Sequence, residues 1–238
     1  MLNEALAPGL LPPGLRVYAI GDVHGCADRL SVLHAGIAAD ARARPGARRV
    51  AILHLGDYVD RGPDSAGVLE LLLGPPPVRG AEMVSLLGNH EVMMLDACDP
   101  QAPAGAMEFW LDNGGAETLE SYGARHDDPR WWEAVPAEHL ALMRRCPLRW
   151  GAGDYLFAHA GVRPGVPLER QDPFDLVWIR EPFLSFEGEL PLVVVHGHTP
   201  APAPAVRPHR IGIDTGACFG GDLTCLVLEE GRLGFILA

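Results

Sequence analysis

Three short apolar runs punctuate the first third of the chain: Val17-Tyr18-Ala19-Ile20, Val50-Ala51-Ile52-Leu53 and Met83-Val84-Ser85-Leu86-Leu87. Their length and bulk read as strands. Between them, apolar positions recur at helical spacing over Asp28 to Arg42, which stops near Pro45-Gly46, and over Asp64 to Leu73, closed by Gly74. A further helix is expected from Glu91 to Ala97. Gly105 to Tyr122, amphipathic around Phe109-Trp110-Leu111, and Trp131 to Arg145 then form a helical insertion, about 105–145, ahead of a strand at Tyr155-Leu156-Phe157. From Leu192 onward the pattern turns to short β runs: Leu192 to Val195, Arg210 to Ile213, Leu223 to Leu228 and Gly234 to Leu237. Pro200 to Pro208, rich in Pro and Ala, reads as a loop because no independent core follows it. Strands alternating with helices predict an α/β protein with parallel strands. Residues 1–15, broken by Pro8, Pro12 and Pro13, are expected to be a loose leader, and 16–238 a single domain.

Each of the first three runs ends in a polar block: Gly21-Asp22-Val23-His24-Gly25, Gly56-Asp57-Tyr58-Val59-Asp60-Arg61-Gly62 and Gly88-Asn89-His90-Glu91. Asp22 to Asp57 spans 35 residues and Asp57 to Asn89 spans 32, and a strand–helix–strand unit needs about 30 or more. The spacing therefore sets Asp, His, Asp, Asn and His at the carboxyl ends of neighbouring parallel strands, where open α/β sheets build their sites. Hard oxygen donors mixed with imidazole, with no thiolate in any block, suit a hydrolytic metal centre. A turn or helix cap accounts for any one of these residues. It does not account for the set.

Charge and cysteine usage narrow the partners. A chain of 238 residues suits one α/β domain. The formal charge of −12 argues against nucleic acid, whose backbone needs a basic face. Cys26, Cys98, Cys146, Cys218 and Cys225 are odd in number and lack CxxC spacing, so reduced thiols are favoured over a disulfide framework. No basic, apolar leader and no run near the ~20 apolar residues of a membrane span is present. A cytoplasmic protein without membrane contact is the expectation.

The blocks resemble those of the metallophosphoesterases, most closely the phosphoprotein phosphatase branch that includes the phage lambda phosphatase. That branch reads GDxHG, GDxxDRG and GNHE, followed by two later histidines, matched here by Ala158-His159-Ala160-Gly161 and His196-Gly197-His198-Thr199. Ile213-Asp214-Thr215-Gly216-Ala217, Gly220-Gly221 and Leu223-Thr224 resemble its last strands, so the likeness runs from about Val17 to the C-terminus. The wider superfamily carries GHxH in the last motif. Pro200 stands at its second histidine here, as in the protein-phosphatase branch.

The resemblance implies a calcineurin-like β-sandwich flanked by helices, with the insertion shaping a substrate groove. It implies two divalent ions, Mn with Fe or Zn as alternatives. Asp22, His24 and a bridging Asp57 would hold the first, and Asp57, Asn89, His159 and His198 the second. His90 is left for proton transfer, with Asp60 orienting it and favouring its protonated form; Asp60 could instead pair locally with Arg61. Arg61 and Arg180 would grip phosphoryl oxygens, the latter having Glu181 as an alternative surface partner. His196 is expected to be a packed histidine, and His34, His54, His126, His139 and His209 structural or surface residues.

The implied reaction is hydrolysis of a phosphomonoester by direct attack of a hydroxide bridging two metal ions, without a covalent phosphoenzyme. Cys26 has no CxxxxxR setting and supports no cysteine mechanism. The favoured substrates are phosphoserine and phosphothreonine, with phosphotyrosine, in a phosphoprotein or a phosphorylated small molecule. Asp112-Asn113-Gly114-Gly115 after Trp110 leans towards phosphoprotein. The alternative is a dinucleoside polyphosphate such as diadenosine tetraphosphate, and a remote one is a non-catalytic scaffold.

Overall fold

The computed structural model describes residues 4–128 and 130–238. Two mixed sheets pack face to face. The first runs β1 (Ala5–Leu6), β11 (Arg232–Leu237), β10 (Thr224–Glu229), β2 (Leu15–Ile20), β3 (Arg49–His54), β4 (Glu82–Ser85), with β2, β3 and β4 parallel. The second runs β5 (Arg149–Ala152), β6 (Tyr155–Ala158), β7 (Val193–His196), β9 (Arg210–Gly212), β8 (Ala205–Val206), with β6, β7 and β9 parallel.

Both faces of each sheet are covered, which is why the central strands read as unbroken apolar runs. Val17, Ala19, Leu53 and Leu226 of the first sheet meet Phe157, Val195 and Ile211 of the second between the sheets. Their alternates, Tyr18, Ile20, Ile52 and Val227, point outward under Leu30, Leu33 and Ile37 of α1 (Ala27–Ala43) and Val68, Leu69 and Leu72 of α2 (Ser65–Leu73). On the far side Leu156 and Val194 lie under Leu176, Ile179 and Phe183, the first of these on α7 (Pro173–Trp178).

The helices expected between strands form at the expected places, and α3 (Asn89–Ala97) begins two residues before Glu91, so Asn89 and His90 occupy its first turn. The insertion is helical but not continuous over Gly105 to Tyr122. It breaks into α4 (Ala106–Trp110), a wide turn over Leu111–Gly115 and α5 (Ala116–Ser121), because Gly114 takes a left-handed φ of 100°. A short turn at Trp131–Ala134 and α6 (Ala137–Arg145) complete it. Helix α7 and strand β5 went unforeseen, and β8 lies inside the expected Pro/Ala loop.

From residue 4 onward the N-terminal segment is tied to the sheets, not loose. Positions 1–3 of that leader lie outside the described residues, but β1 pairs with β11, and the Leu11 N–H donates to Glu230 O at 2.9 Å. Leu11 and Leu15 are each 4% exposed in the inter-sheet core. The prolines interrupt regular structure there without preventing the leucines from burying, each worth about 1.5–3 kcal/mol.

Candidate metal centre

The blocks end their strands on strained backbone. His24, Asp57, Asp60, Arg61 and His198 all have positive φ, between 43° and 74°, a conformation that costs non-glycine residues energy and collects at functional sites. The first two blocks are zipped together. Val23 and His24 N–H groups donate to Asp57 O at 3.0 and 2.8 Å, and Gly25 N–H to Tyr58 O at 2.9 Å. A Cβ at Gly62 would stand 1.9 Å from His24 O, so only glycine allows this approach.

Glu91 locks the third block to the second. It is fully buried, and its carboxylate accepts four backbone N–H groups: Gly88 (3.0 Å), Asp57 (2.9 Å), Tyr58 (2.7 Å) and Val59 (3.2 Å). Burial and the Asp57 charge push its pKa up to about 7, against the pull of the Tyr58 and Val59 N–H groups. Its place three residues into α3, bonded back to Gly88 N–H, is the reciprocal half of a capping box, a pattern readable in the sequence.

Asp57 lies at the middle of the centre. Its Oδ1 is 3.3 Å from His159 Nε2, and its Oδ2 is 3.4 Å from His24 Nε2 and 3.9 Å from His90 Nε2. Asn89 Oδ1 is 2.9 Å from both His159 Nε2 and His198 Nδ1. The His24 and His159 Nδ1–H groups donate to Val59 O (2.8 Å) and Leu55 O (2.9 Å), which fixes each tautomer and turns Nε2 inward. Two sets of donor atoms, His24/Asp57/His90 and Asp57/His159/His198, each fall within 4.8 Å of one another. Asp22 stands behind them, its carboxylate accepting the His198 backbone N–H at 2.9 Å. All six expected ligands are buried. Four of them, His24, Asp57, His159 and His198, fall in the two donor sets together with His90. Asn89 touches His159 and His198, and Asp22 hydrogen-bonds only the His198 backbone among the described residues.

The electrostatics fit a cation. Burial, then the charge of Asp214, then that of Asp57, raise Asp22 well above the carboxylate range, and Asp214 itself is raised by burial. His159 runs the other way: the Asp57 charge, followed by Asp22 and Glu91, overcomes desolvation and lifts it to about 10. An imidazolium there offsets the acidic cluster, a task that divalent ions perform when neutral imidazoles coordinate them. Oxygen and imidazole donors without thiolate, with inward nitrogens fixed from behind, are a set that divalent ions accept.

At the rim, His90 Nδ1 is 2.7 Å from Asp60 Oδ2. Asp60 is fully buried and makes no ion pair with Arg61 among the described residues. Its carboxylate accepts Trp110 Nε1–H (2.9 and 3.0 Å) and the Thr118 hydroxyl (2.7 Å), both from the insertion. Desolvation lowers His90 to about 4 and raises Asp60 to about 8. Burial therefore outweighs the preference for protonated His90 expected from a neighbouring carboxylate, and favours a neutral imidazole beside a protonated Asp60. Arg61 reaches the centre, Nη1 lying 2.7 Å from His24 Nε2. Arg180 is exposed and makes no ion pair with Glu181 among the described residues; Glu181 accepts the Ser185 N–H at 3.3 Å instead. The Arg180 charge helps depress His198, after burial and the charge of His159.

His196 is outside the centre, packed edge-on to Phe183 at 5.1 Å. His34 and His54 pair between α1 and β3, and His139 meets Tyr122 OH at 2.7 Å. Cys26 is buried and its thiol pKa is raised by desolvation, which leaves it inert. The parts that sequence reasoning missed are Trp110, Thr118 and Asp214. The first two lie 50 and 58 residues from Asp60 with no local signal. Asp214 follows a strand end, as Asp22 does, and that position was the available hint.

A two-sheet sandwich with a buried Asp/His/Asn centre at the strand ends defines a metal-dependent hydrolase of phosphoric esters. The chain belongs to the calcineurin-like phosphoesterase family, which it matches over residues 15–238 and whose members use two divalent metals. It is 32% identical over 224 residues to serine/threonine-protein phosphatase 1 of Salmonella typhimurium, covering 87% of this chain and 89% of that one. It is 30% identical over 181 residues to the symmetrical bis(5'-nucleosyl)-tetraphosphatase of Acidovorax sp. JS42, covering 76% of this chain and 52% of that one. The cold-active protein-tyrosine phosphatase of a psychrophilic Shewanella shares the fold, with a TM-score of 0.61 at 18% identity over 96% of this chain and 81% of that one.

Proposed function

We propose that this phosphatase hydrolyses phosphomonoesters on protein side chains, chiefly phosphoserine and phosphothreonine, with two Mn ions in its centre. The observation that carries the reading is Asp57, one oxygen towards His159 and the other towards His24, with Arg61 and the His90–Asp60 pair at the same rim. Asp22, His24 and Asp57 would hold one ion, and Asp57, Asn89, His159 and His198 the other. When bound, such ions supply Lewis acidity and a nucleophile at neutral pH. Arg61 grips the equatorial phosphoryl oxygens through its planar fork, and Arg180 adds positive charge from the side of His198. His90, held at Nδ1 by Asp60, gives a proton from Nε2 to the departing alkoxide.

The near full-length match to a serine/threonine phosphatase supports the protein substrate. One observation favours a second reading, a dinucleoside polyphosphate. An apolar cleft of about 430 Å³, lined by Val92, Met93, Phe109, Phe174 and Trp178 with Asp96, adjoins the centre, since the Trp178 ring is 6.3 Å from His198. A nucleobase fits such walls. Comparing kcat/KM on a phosphoserine/phosphothreonine peptide set and on diadenosine tetraphosphate separates the two. Higher values on the peptides are expected; a clear preference for the dinucleotide would move the enzyme to nucleotide turnover.

A further inference from the structure

Phe219 is apolar and 67% exposed, yet it is held firmly. It closes a single turn, Ala217–Phe219, set between left-handed Gly216 (φ 70°) and Gly220 (φ 90°), with its N–H donating to Gly216 O at 2.9 Å. The guanidinium carbon of Arg61 lies 5.6 Å from the centroid of its ring. From the other side, the Arg61 N–H donates to Gly114 O at 3.0 Å, and a Cβ on Gly114 would come within 2.7 Å of Arg61 Cγ. Arg61 forms no carboxylate ion pair among the described residues. That choice of partner has a consequence. A carboxylate would orient the guanidinium while consuming the charge and donors that a phosphate needs, whereas an aromatic face orients it and leaves its charge, and the in-plane N–H groups not turned to His24, available.

We propose that Phe219 is a positioning residue for the substrate phosphate, its ring holding the Arg61 guanidinium in the orientation that grips phosphoryl oxygens. The proposal rests on the assignment of Arg61 as a phosphate ligand. It gives the C-terminal turn and the helical insertion a joint task, since each holds one side of a single arginine.

The test uses the Mn-loaded enzyme and two readouts: calorimetric affinity for inorganic phosphate, and KM against kcat for p-nitrophenyl phosphate. Phe219→Leu keeps an apolar side chain at an exposed position but removes the ring face. It should weaken phosphate binding and raise KM roughly two- to fivefold, the factor an exposed cation–π contact carries, with kcat little changed. Phe219→Trp should restore both, and Phe219→Leu should add nothing in an Arg61→Ala background. Wild-type affinity in Phe219→Leu, or equal losses in Phe219→Leu and Phe219→Trp, would overturn the proposal. Unchanged phosphate affinity in Arg61→Ala alone would instead bring down the assignment of Arg61.

Discussion

Trp110→Phe tests how the insertion serves the centre. Trp110 is fully buried, stacks on Trp131 at 5.0 Å, and gives its one N–H to both oxygens of Asp60. Phenylalanine keeps most of the packing and deletes that donor. A hydrogen bond to a buried carboxylate is worth about 1.5–3 kcal/mol, and the smaller ring leaves a void costing about 1 kcal/mol more. The sum is about 3 kcal/mol. At this chain length that lowers Tm by about 6–12 °C in calorimetry. The lost donor also stabilised the ionised form of Asp60, whose pKa is already pushed up to about 8 by burial. Its removal raises Asp60 further. Asp60 then yields its proton to His90 Nδ1 less readily as Nε2 donates to the leaving group, which makes the imidazole a poorer acid. Turnover on alkyl phosphates should fall about three- to tenfold, while aryl phosphates, whose leaving groups need little protonation, change less than about twofold. Equal losses on both substrates, or a Tm within about 2 °C of wild type, would refute the reasoning.

Other outcomes follow from the same geometry. His90→Asn should depress turnover on alkyl phosphates far more than on aryl phosphates; parallel losses would remove His90 as the acid. His34 and His54, with Nε2 atoms 3.0 Å apart, are lowered by burial to about 4 and about 3. An unfolded chain takes up those protons below about pH 6.5, whereas the folded one resists until near pH 4. The neutral pair therefore stabilises the fold fully above pH 6.5, and that contribution is lost as pH falls, about 2 kcal/mol for each histidine by pH 5. The urea midpoint should drop between pH 7 and 5 and flatten in His54→Gln; a flat wild-type midpoint would contradict this.

Strand ends and the chemistry placed on them were legible because each depends on a short local pattern. An apolar run followed by Gly and a polar ligand marks both the element and its exit, and the spacing sets strand order. The contacts around Asp60 were not legible, since Trp110 and Thr118 lie 50 and 58 positions further along the chain and only packing brings them there. The break at Gly114 was hidden for a related reason: helical periodicity continues on both sides of it. The N-terminal segment was misjudged because its prolines mask Leu11 and Leu15, whose burial depends on strands at the opposite end of the chain. The charge state of His90 also escaped local reasoning, because a neighbouring carboxylate is visible in the motif and the depth of burial is not.

The central claim is that Asp57 is shared by two cation sites. Metal-stripped protein titrated calorimetrically with Mn²⁺, alongside recovery of phosphatase activity, tests it most directly. Wild type should bind two equivalents, release protons as His159 gives up its charge, and regain activity as the second site fills. Asp57→Asn should lose both tight binding and activity. Full activity without metal, or two tight sites and normal turnover in Asp57→Asn, would contradict the account.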